Sequence, residues 1–376
     1  MEPRPERRHG RTGQEVSMIL DQLSIPIVLA PLAGGPSTPQ LTAEVSNAGG
    51  LGFIPAGGLT AGMLADQLAE TQELTNSATG VNVFVPGTPA APGTVEAYAV
   101  TLADDARDAG VSLGAPLFED DDWTAKIDLL LAAPPPVVSF TFGCPDRSVL
   151  ERFWLVGSEV WVTITTPAEA EHAVDSGADV LVVQGIEAGG HRGTFRDDPA
   201  EDGANGLGLL PLLQLVRAAV DVPLVAAGGI ATGAGVAAVL AAGAAAAQLG
   251  TAFLRCPEAG TLQAERQALA GDGPTALTRA FTGRAARCIS NRFVERHTAD
   301  APAAYPEVLH LTAPLRAEGR AGHDAGLASV WAGQTHQLGD RLPAGRLALE
   351  LASQAQAACE QAATRLSALD PTGSAD

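Results

Sequence analysis

The sequence predicts an α/β fold, a closed (β/α)8 TIM barrel with a helical insertion near its C-terminus. Three observations point there. Eight short apolar runs recur between residues 27 and 249. Segments of helical character lie between them. Glycine-rich turns follow the last three runs, at the strand ends where barrels of this kind hold their ligands.

The runs are Ile27–Ala30, Leu51–Ile54, Val81–Val85, Val137–Phe140, Val160–Ile164, Val180–Val183, Leu224–Ala227 and Ala246–Leu249. They are continuously apolar rather than alternating, as parallel strands buried on both faces require. The helix candidates are Pro39–Asn47, closing at Gly49, then Asp121–Ala132, Pro167–Asp175, Leu209–Val220 and Gly233–Ala242. Thr166 is placed to cap the third, and Gly177 to end it. Periodicity alone does not separate a closed barrel from an open doubly wound sheet, which stays as the structural alternative.

The chain divides on this reading into five parts. Residues 1–17 carry Arg4, Arg7, Arg8 and Arg11 without the apolar stretch of a signal peptide, and read as a disordered tail. Residues 18–257 form the barrel. Residues 258–342 break the rhythm, with helix-like pieces, several arginines and no clear strand, and read as an insertion covering the active site. Residues 343–366 hold a final helix, Ala344–Leu366, packing back on the barrel. Residues 367–376 read as a second tail.

Composition narrows the function. The chain has 376 residues, 46% of them hydrophobic, enough for a sizeable core. Its net charge of −20 argues against a nucleic-acid surface. An anionic ligand must therefore be held locally, by backbone N–H groups and a few arginines. The one lysine, Lys126, falls inside a predicted helix, which argues against Schiff-base chemistry. Cys144, Cys256, Cys288 and Cys359 form no C-x-x-C pair. That argues against a cysteine-based metal site and suits a reducing cytoplasm. No run of about 18 apolar residues reads as a membrane span. Oligomeric state stays open, a homo-oligomer included.

The chemistry is expected after the strands. After strand seven comes Ala227-Gly228-Gly229-Ile230, and after strand eight Gln248-Leu249-Gly250-Thr251. Glycines let backbone N–H groups approach an anion, and a helix N-terminus behind them adds positive potential. These two turns read as a phosphate site. Gly233-Ala234-Gly235-Val236-Ala237-Ala238 also fits a dinucleotide fingerprint, but no acidic residue follows about 20 positions on. After strand six comes Gln184-Gly185-Ile186-Glu187-Ala188-Gly189-Gly190-His191-Arg192-Gly193. A histidine among strand-end glycines is placed for proton transfer rather than packing. Glu187 reads as a supporting or capping residue. Asn82, a polar residue in the third apolar run, needs partners, which a ligand or the backbone could supply.

Several ordered segments resemble the nitronate monooxygenase family, formerly called 2-nitropropane dioxygenases. They are Ala-Pro-Leu-Ala-Gly-Gly-Pro (30–36), Gly-Val-Asn-Val-Phe (80–84), Ser-Phe-Thr-Phe-Gly-Cys-Pro (139–145), the Gln184 to Gly193 loop, Ala-Ala-Gly-Gly-Ile (226–230) and Gln-Leu-Gly-Thr (248–251). Phe281-Thr282-Gly283-Arg284, Asn291-Arg292-Phe293 and Trp331-Ala332-Gly333-Gln334 look like its C-terminal signatures. The resemblance implies FMN held by Asn82, Gln184, Gly189, Gly190, Gly228, Gly229, Gln248, Leu249, Gly250 and Thr251, with His191 as catalytic base. It implies oxidation of an alkyl nitronate or nitroalkane by oxygen to a carbonyl compound and nitrite. Cys288 departs from the pattern, where glycine is expected. The alternatives are an FMN-dependent enoyl-acyl-carrier-protein reductase, which shares the Gly-Gly-His element, and a non-redox phosphate-binding barrel. Gln184, where the reductases tend to carry an acid, and the Trp331–Gln334 segment favour the monooxygenases.

Overall fold

All eight apolar runs become parallel strands. The computed structural model describes residues 17–198 and 206–367, so the tail readings for residues 1–16 and 368–376 lie outside the described residues. The strands are β1 (Ile27–Leu29), β2 (Gly52–Pro55), β3 (Thr79–Phe84), β4 (Val137–Thr141), β5 (Glu159–Ile164), β6 (Val180–Gln184), β7 (Leu224–Ala227) and β8 (Ala246–Leu249). Each pairs in parallel with the next from β2 to β8, and β8 pairs with β1. The ring closes between Val28 and Leu51, where Leu29 N donates to Leu51 O and Leu51 N to Ile27 O. This closure excludes the open sheet.

The Thr166 cap forms as the sequence predicts, and two further threonines act in the same way. Thr38, Thr166 and Thr232 each accept an N–H from the first turn of the helix they precede. The Gly233–Ala241 helix explains its fingerprint-like sequence by packing. A Cβ on Gly233 would lie 2.2 Å from the Gln354 side chain of the final helix, Ala344–Ser367. Inside the barrel, Phe53 and Trp161 meet at 5.6 Å between ring centroids. At that end Ile19 N donates to Glu159, and Ile19, Leu20 and Leu23 cover the core. Lys126 is buried and ion-paired with Asp121 at 2.8 Å. Among the described residues no helix is long and apolar enough to cross a membrane.

A second apolar core lies outside the barrel, and two distant segments build it. Val95, Tyr98 and Leu102, from the β3–β4 connection, pack with Phe281, Phe293, Val308 and Leu315. Polar ties join the halves. Tyr98 Oη donates to Ala280 O at 2.9 Å, and Asp105 takes hydrogen bonds from His297 Nε2 at 2.8 Å and Arg296 Nη1 at 2.9 Å. We therefore propose a division that groups residues 94–113 with residues 276–331 rather than with the barrel.

This region also corrects the expectation that residues 258–342 lack strands. β9 (Thr275–Thr278) and β10 (Ala286–Ile289) run antiparallel, and Gly190–His191 pairs on the far side of β10. Both strands are four residues long, and threonine or arginine interrupts them, so no apolar run betrays them. The helices Ala61–Leu74, Thr94–Thr101, Ala103–Asp108 and Arg147–Leu155 were likewise not singled out by the sequence signals.

Candidate active site

A cavity of about 850 Å³ opens at the C-terminal ends of the strands. Asn82, Gln184, Gly189, Gly190, His191, Gly228, Gly229, Gln248, Leu249, Gly250 and Thr251 all line it. The structure thus brings together every residue that the sequence put forward for the site, though not all in the same manner.

The glycine turns form the floor. Gly228 and Gly229 have φ of +115° and +67°, conformations that side chains resist. The N–H groups of Gly229 and Thr251 have no backbone acceptor among the described residues. The Gly233–Ala241 helix begins just beyond, behind its Thr232 cap. Thr251 Oγ1 accepts Gly333 N at 3.0 Å, which leaves its hydroxyl hydrogen to give. Gly189 is needed for close approach, since a Cβ there would lie 2.4 Å from Gly333 N.

Two amides behave differently from a simple pair of ligand contacts. Asn82 is buried, and its Nδ2 donates to Ser139 Oγ at 2.8 Å and Thr141 Oγ1 at 3.0 Å, both on β4. Its carbonyl oxygen has no such tie among the described residues. Gln184 uses both ends on the protein. Its Nε2 donates to His191 O at 3.0 Å, and its Oε1 accepts from Gly193 N at 2.9 Å and Arg192 Nη1 at 3.0 Å. Gln184 therefore folds the His191 loop back onto β6. A carboxylate could not make the donation to His191 O. Glu187 proves to be a cap: both of its oxygens accept Leu209 N, at the start of helix Leu209–Ala219.

His191 stands where floor and outer core meet. Its Nε2 lies 2.9 Å from Thr282 Oγ1. Thr282 also donates to Arg284 O at 3.2 Å. A hydroxyl with its hydrogen on that carbonyl accepts from the ring, which puts the imidazole proton on Nε2 and a lone pair on Nδ1. Phe142, Tyr305 and Trp331 surround the ring at 5.5–5.6 Å between centroids. Burial, and then the Arg284 and Arg316 charges, push the imidazole pKa down to about 3. The ring is therefore neutral at physiological pH.

Residues 17–354 match the family model described as nitronate monooxygenase. The nitronate monooxygenase of Pseudomonas aeruginosa is 40% identical over 335 residues, 86% of this chain and 93% of that protein. That of Paraburkholderia phytofirmans is 36% identical over 363 residues, 93% and 98% of the two chains. A solved structure of nitroalkane oxidase from Streptomyces ansochromogenes superposes with a TM-score of 0.89 at 49% identity, covering 92% of this chain and all of that one. The chain belongs to the nitronate monooxygenase family. It is an oxidoreductase. FabK from Thermotoga maritima, with a TM-score of 0.70 at 23% identity over 94% of this chain and 99% of that one, shares the fold.

Within this nitronate monooxygenase family member two of the three C-terminal signatures reach His191, while Asn291-Arg292-Phe293 opens a helix of the outer core. Thr282 and Trp331 line the cavity, and Arg284 lies 3.9 Å over the Phe142 ring. Phe142 itself has φ of +76°, a strained backbone at the end of β4. Cys288 is buried on β10 and does not line the cavity; burial pushes its thiol up to about 12. Tyr305 and Arg316 were not found from the sequence. Tyr305 lies in a turn and Arg316 in helix Ala313–Ala321, neither beside a glycine turn, and only the folded chain brings them to the cavity.

Proposed function

We propose that this protein binds FMN in the cavity and oxidises alkyl nitronates with molecular oxygen, giving a carbonyl compound and nitrite. One observation carries the reading: two glycine turns with unclaimed N–H groups and a half-buried neutral histidine converge on one cavity, in a chain of this family.

The residues fit the cofactor. Gly228, Gly229 and Thr251 would take its phosphate, with the Gly233–Ala241 helix N-terminus behind. The Asn82 carbonyl and the Gln248 amide are available to its polar ring edge, beside Leu249 and Gly250. Gln184 acts through the loop that carries Gly189, Gly190 and His191 rather than by its own amide. FMN, when bound, supplies the electron acceptor that is reoxidised by oxygen.

The protein's own groups do the rest. Leu32, Leu254, Leu269 and Val330 form an apolar stretch of the cavity wall, and Phe142, Tyr305 and Trp331 close around the ring of His191. Thr282 holds the His191 ring. The neutral ring keeps a lone pair on Nδ1 that can take the α-proton of a nitroalkane. A nitronate has already lost that proton and needs the ring only as a hydrogen-bond partner.

The test has two stages. Cofactor released from the purified protein is identified by mass spectrometry, and FMN is expected. FAD, or no flavin after reconstitution, would sink the cofactor assignment. Oxygen uptake and nitrite are then measured with a nitronate prepared in advance. Absence of both, with rapid bleaching by NADPH and turnover of an enoyl thioester, would favour a reductase.

A further inference from the structure

Arg316 carries a charge that the reading above does not use. Ala313, Arg316, Ala317 and Arg320 all line the cavity. They lie at i, i+3, i+4 and i+7 on helix Ala313–Ala321, so one stripe of that helix forms the wall. The alanines leave space and the arginines supply charge.

The two arginines are not equivalent. Arg320 is half-exposed, donates to Gly34 O, and lies 3.7 Å from the Glu265 carboxylate. Arg316 is deeper. Its Nε donates to Thr312 Oγ1 at 3.1 Å and its Nη2 to Leu309 O at 2.8 Å, both neutral acceptors. Among the described residues no carboxylate lies within 4.0 Å of it, and its Nη1 makes no hydrogen bond. Burial, and then Arg320, push its pKa down to about 10, so it stays charged at neutral pH. Its field also reaches His191. A half-buried cation without a nearby counterion is a ready partner for an anion entering the cavity. Among the described residues Glu265, already beside Arg320, is the only acidic side chain that lines this cavity.

We propose that Arg316 sets the preference for the nitronate anion over its neutral parent nitroalkane, by pairing its free guanidinium edge with the charged nitro oxygens beside His191. The inference rests on the nitronate oxidation proposed above. Two oxygens on one planar nitrogen present the same fork as a carboxylate, which guanidinium geometry matches. Nitronates thus find a positive partner inside a protein whose net charge of −20 repels them.

The test uses flavin-loaded protein and three variants: Arg316→Met, Arg316→Gln and Arg316→Lys. Nitrite, a bent anion with two oxygens on nitrogen, is titrated by calorimetry. Its affinity is expected to fall at least about tenfold in R316M and R316Q, and by no more than about threefold in R316K. The ratio of kcat/KM for nitronate to that for nitroalkane should fall by about tenfold or more in the same two variants, with flavin content unchanged. Unchanged nitrite affinity and an unchanged ratio would overturn the proposal. A shifted flavin reduction potential with unchanged nitrite affinity would also overturn it, placing the charge on the cofactor. Should R316M fail to fold, R316Q, which retains an amide to donate to Leu309 O, gives the same readings. If wild-type protein oxidises no nitronate, the functional reading fails, while the nitrite titration still decides the role of Arg316.

Discussion

The floor of the cavity and its outer wall are built by opposite means. The floor is backbone: the Gly228–Gly229 turn, the Gly250–Thr251 turn and the N-terminus of helix Gly233–Ala241. The outer wall is side chain: Thr282, Tyr305, Arg316 and Trp331, projecting from a second core of two distant segments. Backbone donors at positive-φ glycines suit a phosphate, a group with fixed shape and charge. Projecting side chains can differ between relatives without altering the barrel, which suits substrate choice. On the proposed function, cofactor capture and substrate selection fall to different parts of the fold, and His191 stands between them.

The largest expected effect comes from breaking the floor. Gly229→Asp places a carboxylate where an anion is proposed, at φ +67°, with its Cβ 2.9 Å from Glu187 Cβ. Loss of several kcal/mol in FMN affinity is expected, roughly the cost of an unpaired buried charge. Gly229→Ala carries the strain without the charge and should lose less. Flavin titration by fluorescence measures both. Equal losses would make strain the whole effect, and full occupancy in the aspartate variant would move the phosphate elsewhere.

His191→Asn tests the seam between the two regions. Loss of a general base typically costs about 10²–10⁴-fold. A loss of that order is expected on any nitroalkane the enzyme accepts, and a smaller one on the matching nitronate, with FMN content unchanged. Equal losses would mean that His191 only holds the substrate. The pH profile sharpens the point. A pKa lowered to about 3 means that the ring takes up a proton only as pH falls toward that value. Wild-type kcat/KM for nitronate should therefore show no histidine inflection between about pH 5 and 8, the range of an ordinary imidazole. An acid limb near pH 6.5 that disappears in the asparagine variant would contradict it.

The same contrast explains what could be read from the sequence. β1 to β8 are legible because burial on both faces leaves no polar interruption. The floor is legible because the glycines Gly228, Gly229 and Gly250 stand out beside apolar runs. Gln184 was legible as a site residue but not in its manner of acting, since its ties to His191 O and Gly193 N depend on how the loop folds back. Thr282 and Trp331 were visible only within family signatures. Arg316 has nothing local to mark it, because its meaning lies in the absence of a nearby carboxylate, a property of tertiary packing alone.

A break in the outer core should act on stability without reaching the floor. Asp105 joins its two halves through His297 and Arg296. Burial alone would raise its pKa, but hydrogen bonds from His297 and Arg296 outweigh it and hold the carboxyl below its ordinary value. Its stabilisation is therefore present above about pH 4 and is lost as pH falls through the lower folded value. Asp105→Ala strands the buried His297 and should cost about 3 kcal/mol, read by denaturant unfolding at pH 7. FMN affinity should change little. A large loss of FMN affinity with unchanged unfolding would show that floor and outer wall are not independent.

The smallest effect is expected at Thr282, which ties His191 to the outer core by a hydrogen bond. Thr282→Val keeps the shape and removes the hydroxyl. The loss of one neutral hydrogen bond is worth about 0.5–1.5 kcal/mol, or about tenfold at most. What distinguishes orientation from mere support is where that loss falls. If Thr282 fixes the Nε2 proton and so leaves Nδ1 unprotonated, the variant lets the ring change tautomer and turn within its aromatic cage. kcat on nitronate should then fall about three- to tenfold with KM nearly constant. Phe142, Tyr305 and Trp331 still enclose the ring, so FMN content and thermal midpoint should hold. A rise in KM with kcat unchanged would instead mean that the valine alters the cavity wall, and that the tautomer of His191 is set by the ligand rather than by Thr282.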